Sequence, residues 1–321
     1  MKLSPYYREK RRKRDHILKT FTETVRISVI NNTGSVADAR RRHGLSDVAT
    51  RLVGRAMAAA SMLAGWQYGE ERIILTFNGN GPLDSITAEA IRTGEVRAYT
   101  TNPKLIMPIN TPLGFALGYG SLKVTKVLYN QAKPYHSVVP LAKADIASDL
   151  EQYYRLSEQI PAHVELETHV NHRGEVTFSG GLIIEAFPPK RVGESNANFV
   201  QPYIERLHHL PPLSVLFGED LHSLRQVLDK IAPGEFDEGT VEKMVTDFHC
   251  RCSKEKFKKN LITLGPDGLK KFFQLAGPER TLTCHFCNTN YFLTEEDMGF
   301  LTEEQGRLRR ESREKSEKED K

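Results

Sequence analysis

Four cysteines are the residues best suited to chemistry in this chain. Cys250-Arg251-Cys252 is followed, after 31 residues, by Cys284-His285-Phe286-Cys287, and the first 249 positions contain no cysteine. A Cys-x-x-Cys pair places two sulfurs at a hairpin turn. In Cys-x-Cys the outer side chains project from the same side of an extended chain. Four thiolates of this kind favour tetrahedral Zn²⁺. His249 and His285 are adjacent donors, second in rank to four available cysteines. A secreted disulfide scaffold would spread its cysteines through the fold, whereas one tight cluster indicates a metal or redox site. A purely structural zinc knuckle would use the same ligands. Two features go beyond it. A segment of about 60 residues buries little, so the metal would supply a folding free energy on the order of 10 kcal/mol. Arg251, Lys254, Lys256, Lys258 and Lys259 surround the first pair in sequence and are expected to keep thiols deprotonated and reactive toward oxidants. The close pairs Cys250/Cys252 and Cys284/Cys287 could each close a short disulfide ring, that of Cys-x-Cys being the more strained and labile.

These residues need elements to hold them. With 321 residues, about two domains are expected. Residues 1–20 hold eight Lys/Arg against Glu9 and Asp15, a local net of +6, and read as a solvated basic arm; the chain's +4 belongs to it. No apolar run approaches a membrane span or a secretory h-region, so the expected compartment is the cytoplasm. Residues 24–30 alternate as a strand, and 35–65 read as helix with Ser35 and Ser46 as N-caps. Strands are expected at 73–79, 83–90, 95–101, 121–127, 163–170 and 176–187, with a helix over 143–158 closed by Pro161. The fold class is α+β: an N-terminal sheet-and-helix core domain over 21–192, an amphipathic helical linker over 193–240, a small C-terminal zinc-binding domain over 241–300, and a charged tail over 301–321. The linker's apolar residues, among them Leu213, Leu216, Leu224, Val227, Leu228 and Ile231, exceed what it can bury on itself, so it must pack on something else.

With the cysteine pattern in hand, the sequence resembles the redox-regulated 33-kDa heat-shock chaperone family. Further points of likeness are Arg42-His43-Gly44, Gly54-Arg55, Gly81-Pro82, the run Gly94 to Tyr99, Asn102-Pro103, Ser157 to Pro161, and Gly180-Gly181. The resemblance covers roughly 20–300 and omits the arm and tail. It implies a cytoplasmic, ATP-independent holdase that is inactive when reduced with one Zn²⁺ bound. Oxidation would pair Cys250 with Cys252 and Cys284 with Cys287, release zinc and loosen the linker. The partners implied are unfolding or oxidatively damaged proteins, a second copy of the chain in the active state, and downstream ATP-dependent foldases. Neither membrane nor nucleic acid is expected as a partner.

Other signals are weaker. Gly79-Asn80-Gly81-Pro82 lacks the Gly-Lys-Ser/Thr ending of a phosphate loop and reads as a β-turn. There is no Gly-x-Ser-x-Gly or His-Glu-x-x-His, so the chain is not expected to be an enzyme. Tyr153-Tyr154 and Phe272-Phe273 read as core contacts, and His208-His209 as surface. The alternative function is a zinc-ribbon nucleic-acid binder, with the arm and the lysines near the cysteines on phosphates.

Overall fold

Alternation of apolar and polar residues builds a ten-stranded sheet in the computed structural model, which describes residues 15–108, 110–129, 131–189, 195–217, 221–275 and 280–319. The basic arm up to residue 14, linker residues 193–194 and 218–220, and the last two residues lie outside the described set. The chain divides into two units between His249 and Cys250.

In the first unit, or body, the strands are β1 (Asp15–Phe21), β2 (Val25–Asn31), β3 (Arg72–Gly79), β4 (Ser85–Ile91), β5 (Glu95–Thr100), β6 (Gly120–Val127), β7 (Tyr135–Pro140), β8 (Ala162–Val170), β9 (Val176–Ala186) and β10 (Glu242–Phe248). Their order is β7-β6-β3-β4-β5-β10-β1-β2-β9-β8. Every pairing is antiparallel except that of β10 with β5. Helix α1 (Thr33–His43) leads through Gly44, in the left-handed conformation, to α2 (Asp47–Ala64). Ser46 caps α2 as expected, its hydroxyl accepting from the Ala49 N–H. The small residues of α2 let it lie close on the sheet: a Cβ on Gly54 would come within 2.7 Å of Thr168 Oγ1.

Helix α3 (Ala147–Tyr153) runs into a π-turn at Tyr154–Glu158, and the linker then supplies α4 (Gln201–His208) and α5 (Leu221–Ile231). The linker's excess of apolar residues is satisfied within the body. Val200, Tyr203, Leu207, Leu213, Phe217 and Leu224 share one buried cluster with sheet residues such as Val25, Ile27, Val29 and Leu182, and Val227, Leu228 and Ile231 join it.

Strand β10 joins two half-sheets. It pairs with β1 from Asp15↔Thr246 to Lys19↔Glu242, and with β5 only at Asp247↔Glu95 and Phe248↔Val96. Gly94 makes room for it, since a Cβ there would stand 2.0 Å from the Val245 carbonyl oxygen. The Thr246 hydroxyl donates to Gly94 O at 3.0 Å. Lys19, buried in β1, reaches Glu242 of β10 at 2.7 Å and Gly65 O at 2.8 Å.

Several expectations are corrected here. Residues 15–20 are not arm but strand, because Asp15 and Lys19 find partners: the Asp15 carboxylate accepts the N–H groups of Gly34 (2.9 Å) and Ser35 (2.6 Å). That places Ser35 inside α1 rather than at its cap. Residues 242–248, expected with the cysteines, are a strand of the body. Strand β7 was not anticipated.

The second unit contains α6 (Lys254–Ile262), α7 (Gly265–Leu275), the hairpin β11 (Thr281–Thr283) and β12 (Asn290–Phe292), and α8 (Glu295–Glu319), which runs on through the expected tail. Its apolar core is small: Leu261, Leu269, Leu293 and Leu301 are buried, flanked by partly buried residues including Phe272, Phe273 and Met298. None of the described helices of the protein is long and apolar enough to cross a membrane.

Candidate metal centre

The β11–β12 hairpin shapes the second cysteine pair. Thr281↔Phe292, Leu282↔Tyr291 and Thr283↔Asn290 set its register, and Cys284 to Asn288 form the turn. The turn closes through Cys284 N–H to Thr289 O at 2.9 Å and Asn288 N–H to Cys284 O at 2.7 Å. Asn288 takes φ +56°, a left-handed conformation that asparagine tolerates. Cys284 and Cys287 are buried, Cys250 and Cys252 half-buried, and all four are thiols rather than disulfides.

The four sulfurs lie within 4.8 Å of one another. Cys250 Sγ is 3.8 Å from Cys284 Sγ, and Cys252 Sγ is 3.3 Å from Cys287 Sγ. A tetrahedral ion with Zn–S bonds of about 2.3 Å needs its sulfurs about 3.8 Å apart. An all-sulfur donor set at this spacing therefore fits zinc, which would supply a charge that holds four thiolates together. His249 and His285 are exposed and stand outside the cluster.

Packing thiols together sets their ionisations against one another. Burial, and then the charge of Cys250, pushes Cys284 well above the ordinary thiol range. Burial likewise raises Cys252. Burial also opposes the Cys287 thiolate, but the Thr289 hydroxyl and N–H and the neighbouring thiols bring its pKa down to about 7. The Cys287 thiolate forms readily while Cys252 and Cys284 resist, and a divalent cation removes that conflict.

The basic residues near Cys250 are not arranged as expected. Lys254 and Lys258 both bind the Asp297 carboxylate, Lys258 at 2.8 Å, and Lys256 donates to Arg251 O at 2.6 Å. Burial opposes charge on Asp297, yet the two ammonium groups and Thr294 hold it well below the usual carboxylate range. Asp297 also closes a capping box at the start of α8, accepting the Thr294 N–H and hydroxyl, each at 2.9 Å. These lysines hold α6 to α8.

Sequence reasoning missed Tyr291, Thr289 and Asp297. The Tyr291 hydroxyl lies 3.1 Å from Cys252 Sγ and donates to Cys252 O at 3.1 Å, and its ring packs on Phe257 with centroids 5.4 Å apart. The Thr289 hydroxyl is 3.2 Å from Cys287 Sγ. Thr289 and Tyr291 had only their proximity to Cys-x-x-Cys, whereas Asp297 had the Thr294-x-x-Asp297 spacing of a capping box.

A large α+β body followed by a small unit with a four-thiol, zinc-type centre defines the class. Comparison with known proteins narrows it. The family described as "Hsp33 protein" matches residues 15–294. A "33 kDa chaperonin" of Ruminiclostridium cellulolyticum is 32% identical over 286 residues, 88% of this chain and 94% of the relative. That of Thermotoga maritima is 32% identical over 282 residues, 87% and 93% of the two chains. The crystal structure of the Thermotoga maritima 33 kDa chaperonin superposes with a TM-score of 0.77 at 31% identity, covering 90% of this chain and 97% of its own. The chain belongs to the Hsp33 family of heat-shock chaperones.

Proposed function

We propose that this chaperone is a redox-gated, ATP-independent holdase of the cytoplasm, and not an enzyme. With thiols reduced and one Zn²⁺ on Cys250, Cys252, Cys284 and Cys287, it is inactive. Oxidation joins Cys250 to Cys252 and Cys284 to Cys287. Each disulfide formed gives up two electrons, and with hydrogen peroxide as oxidant the oxygen leaves as two waters per bond. The ligand set is then lost, and with it the ion. The linker over 193–240 loosens and exposes apolar surface to unfolding or oxidatively damaged proteins. The active form pairs with a second copy and passes clients to ATP-dependent foldases.

The observation that carries this reading is the buried cluster shared by α4, α5 and the sheet. It is a ready apolar surface, covered by a segment that ends just upstream of the thiols. The nucleic-acid alternative loses support, because Lys254 and Lys258 are committed to Asp297.

Light scattering by a thermally unfolding test protein provides the test, with released zinc read by a chromogenic chelator. Protein treated with peroxide and mild heat should suppress aggregation and release one zinc, whereas reduced protein should do neither. Equal protection by both forms would show that the switch is wrong.

A further inference from the structure

A cavity of about 580 Å³ on the body plays no part in the chaperone reading. Arg51 and Arg55, one turn apart on α2, line it together with Lys143. Among the described residues, none of these three cations makes an ion pair. Arg55 donates from Nη1 to the backbone oxygen of Asp145 at 3.1 Å, while its Nε is buried without a hydrogen-bond partner. Burial pushes this guanidinium below its ordinary pKa despite nearby Asp145. The carboxylate of Asp145, also on the lining, is already engaged by the Ser148 N–H (2.8 Å) and hydroxyl (3.1 Å).

The cavity wall is held in place against local preference. Ala144 sits at φ +57° and Ile146 at φ +77°, the latter costly for a β-branched residue. Fully buried Asp149 holds this loop by accepting the N–H groups of Ala142, Lys143, Ala144 and Ile146 at 2.8–3.1 Å. A Cβ on Gly114 would stand 2.2 Å from Lys143 O, so the neighbouring wall is pinned to the same loop. Two large aromatics on the lining face water, Phe115 at 67% and Tyr119 at 87% exposure.

We propose that this cavity binds a nucleoside polyphosphate, its phosphates on Arg51, Arg55 and Lys143 and its base against Phe115 and Tyr119. Three cations with no ion pair among the described residues exceed what one carboxylate needs, and guanidinium groups match phosphate oxygens bidentately. Exposed rings offer stacking faces to a flat base. The volume falls in the range of small-molecule sites, roughly 300–1,000 Å³. Nothing in the proposal depends on the thiol switch.

Isothermal titration of ATP into the full-length, reduced, zinc-loaded chain tests it. Saturable binding is expected, weakened on the order of tenfold or more by Arg51→Met and by Lys143→Met. Lys143 is exposed, so its variant keeps the test sound if an arginine variant fails to fold. Phe115→Ala and Tyr119→Ala should weaken ATP but leave inorganic tripolyphosphate unchanged. No saturation at millimolar ATP, or equal affinity in the Arg51 and Lys143 variants, overturns the site. Tripolyphosphate binding as tightly as ATP overturns the nucleoside half, and adenosine binding as tightly overturns the phosphate half.

Discussion

In the body, α2 alone buries fourteen residues against its surroundings. The whole described second unit buries eight: four leucines, Cys284, Cys287, Asp297 and Gln305. One region is held by apolar area, the other by a few leucines, a carboxylate clamp and four sulfurs that want a cation. The two should therefore fail under different insults. Apolar truncation should hurt the body and spare the metal centre, while loss of ligands should melt the small unit and leave the sheet intact.

The largest effect expected is metal removal. A chelator strong enough to compete with four thiolates, or Cys284→Ser, should remove a folding contribution on the order of 10 kcal/mol from the second unit. Hydrogen exchange should show lost protection over α6 to β12 and unchanged protection in β3, β4 and β6. Continued protection of α6 without metal would erase the contrast. In the body, Phe77→Ala empties a fully buried position and should cost about 3–5 kcal/mol. Chemical denaturation followed by the Trp66 signal reads that loss, and zinc affinity should not move.

The linker lies between these cases. Leu228→Ala should cost about 2–4 kcal/mol at a residue with no exposure, loosening α5 from the sheet. On the proposed function, it should also raise chaperone activity in reduced, zinc-bound protein; a variant that needs oxidation as fully as the parent would separate linker packing from gating. The smallest effect concerns His163, which lies 3.1 Å from both Glu151 and Glu165. Burial alone would lower its pKa, but the two carboxylates raise it to about 9. Its contribution is full below the ordinary value near 6.5 and is lost as pH rises through about 9. Body stability should thus fall by about 1 kcal/mol across that interval, and His163→Gln should flatten the profile.

Legibility in the sequence followed the range of the interactions. Strands β3, β4, β5, β6, β8 and β9 were readable because their alternation is local, and the cysteine cluster because ligand spacing is local too. The four sulfurs do lie within 4.8 Å of one another, but Tyr291 acts across the unit and carried no spacing signal. Asp297 carried one only for its cap on Thr294, not for its hold on Lys254 and Lys258. Strand β1 was misread because Asp15 and Lys19 look like solvent residues until α1, Gly65 and Glu242 are in place. Strand β10 alternates through Met244, Thr246 and Phe248, yet its nearness to Cys250 in sequence assigned it to the wrong unit. The lysines flanking the first cysteines looked like an electrostatic aid to the thiols, whereas Lys254 and Lys258 serve Asp297.

The placement of β10 also has a consequence for synthesis. Ribosomes deliver the chain from its N-terminus, so β1 and β5 emerge long before the strand that fits between them. Until about 250 residues have been made, both strands present open edges, templates for unwanted pairing with other nascent chains. Gly94 keeps that slot passable for the late arrival, since any side chain there would obstruct the Val245 carbonyl. Substitution of Gly94 should therefore appear first as poor yield of soluble protein from translation, before any change in the properties of molecules that do fold.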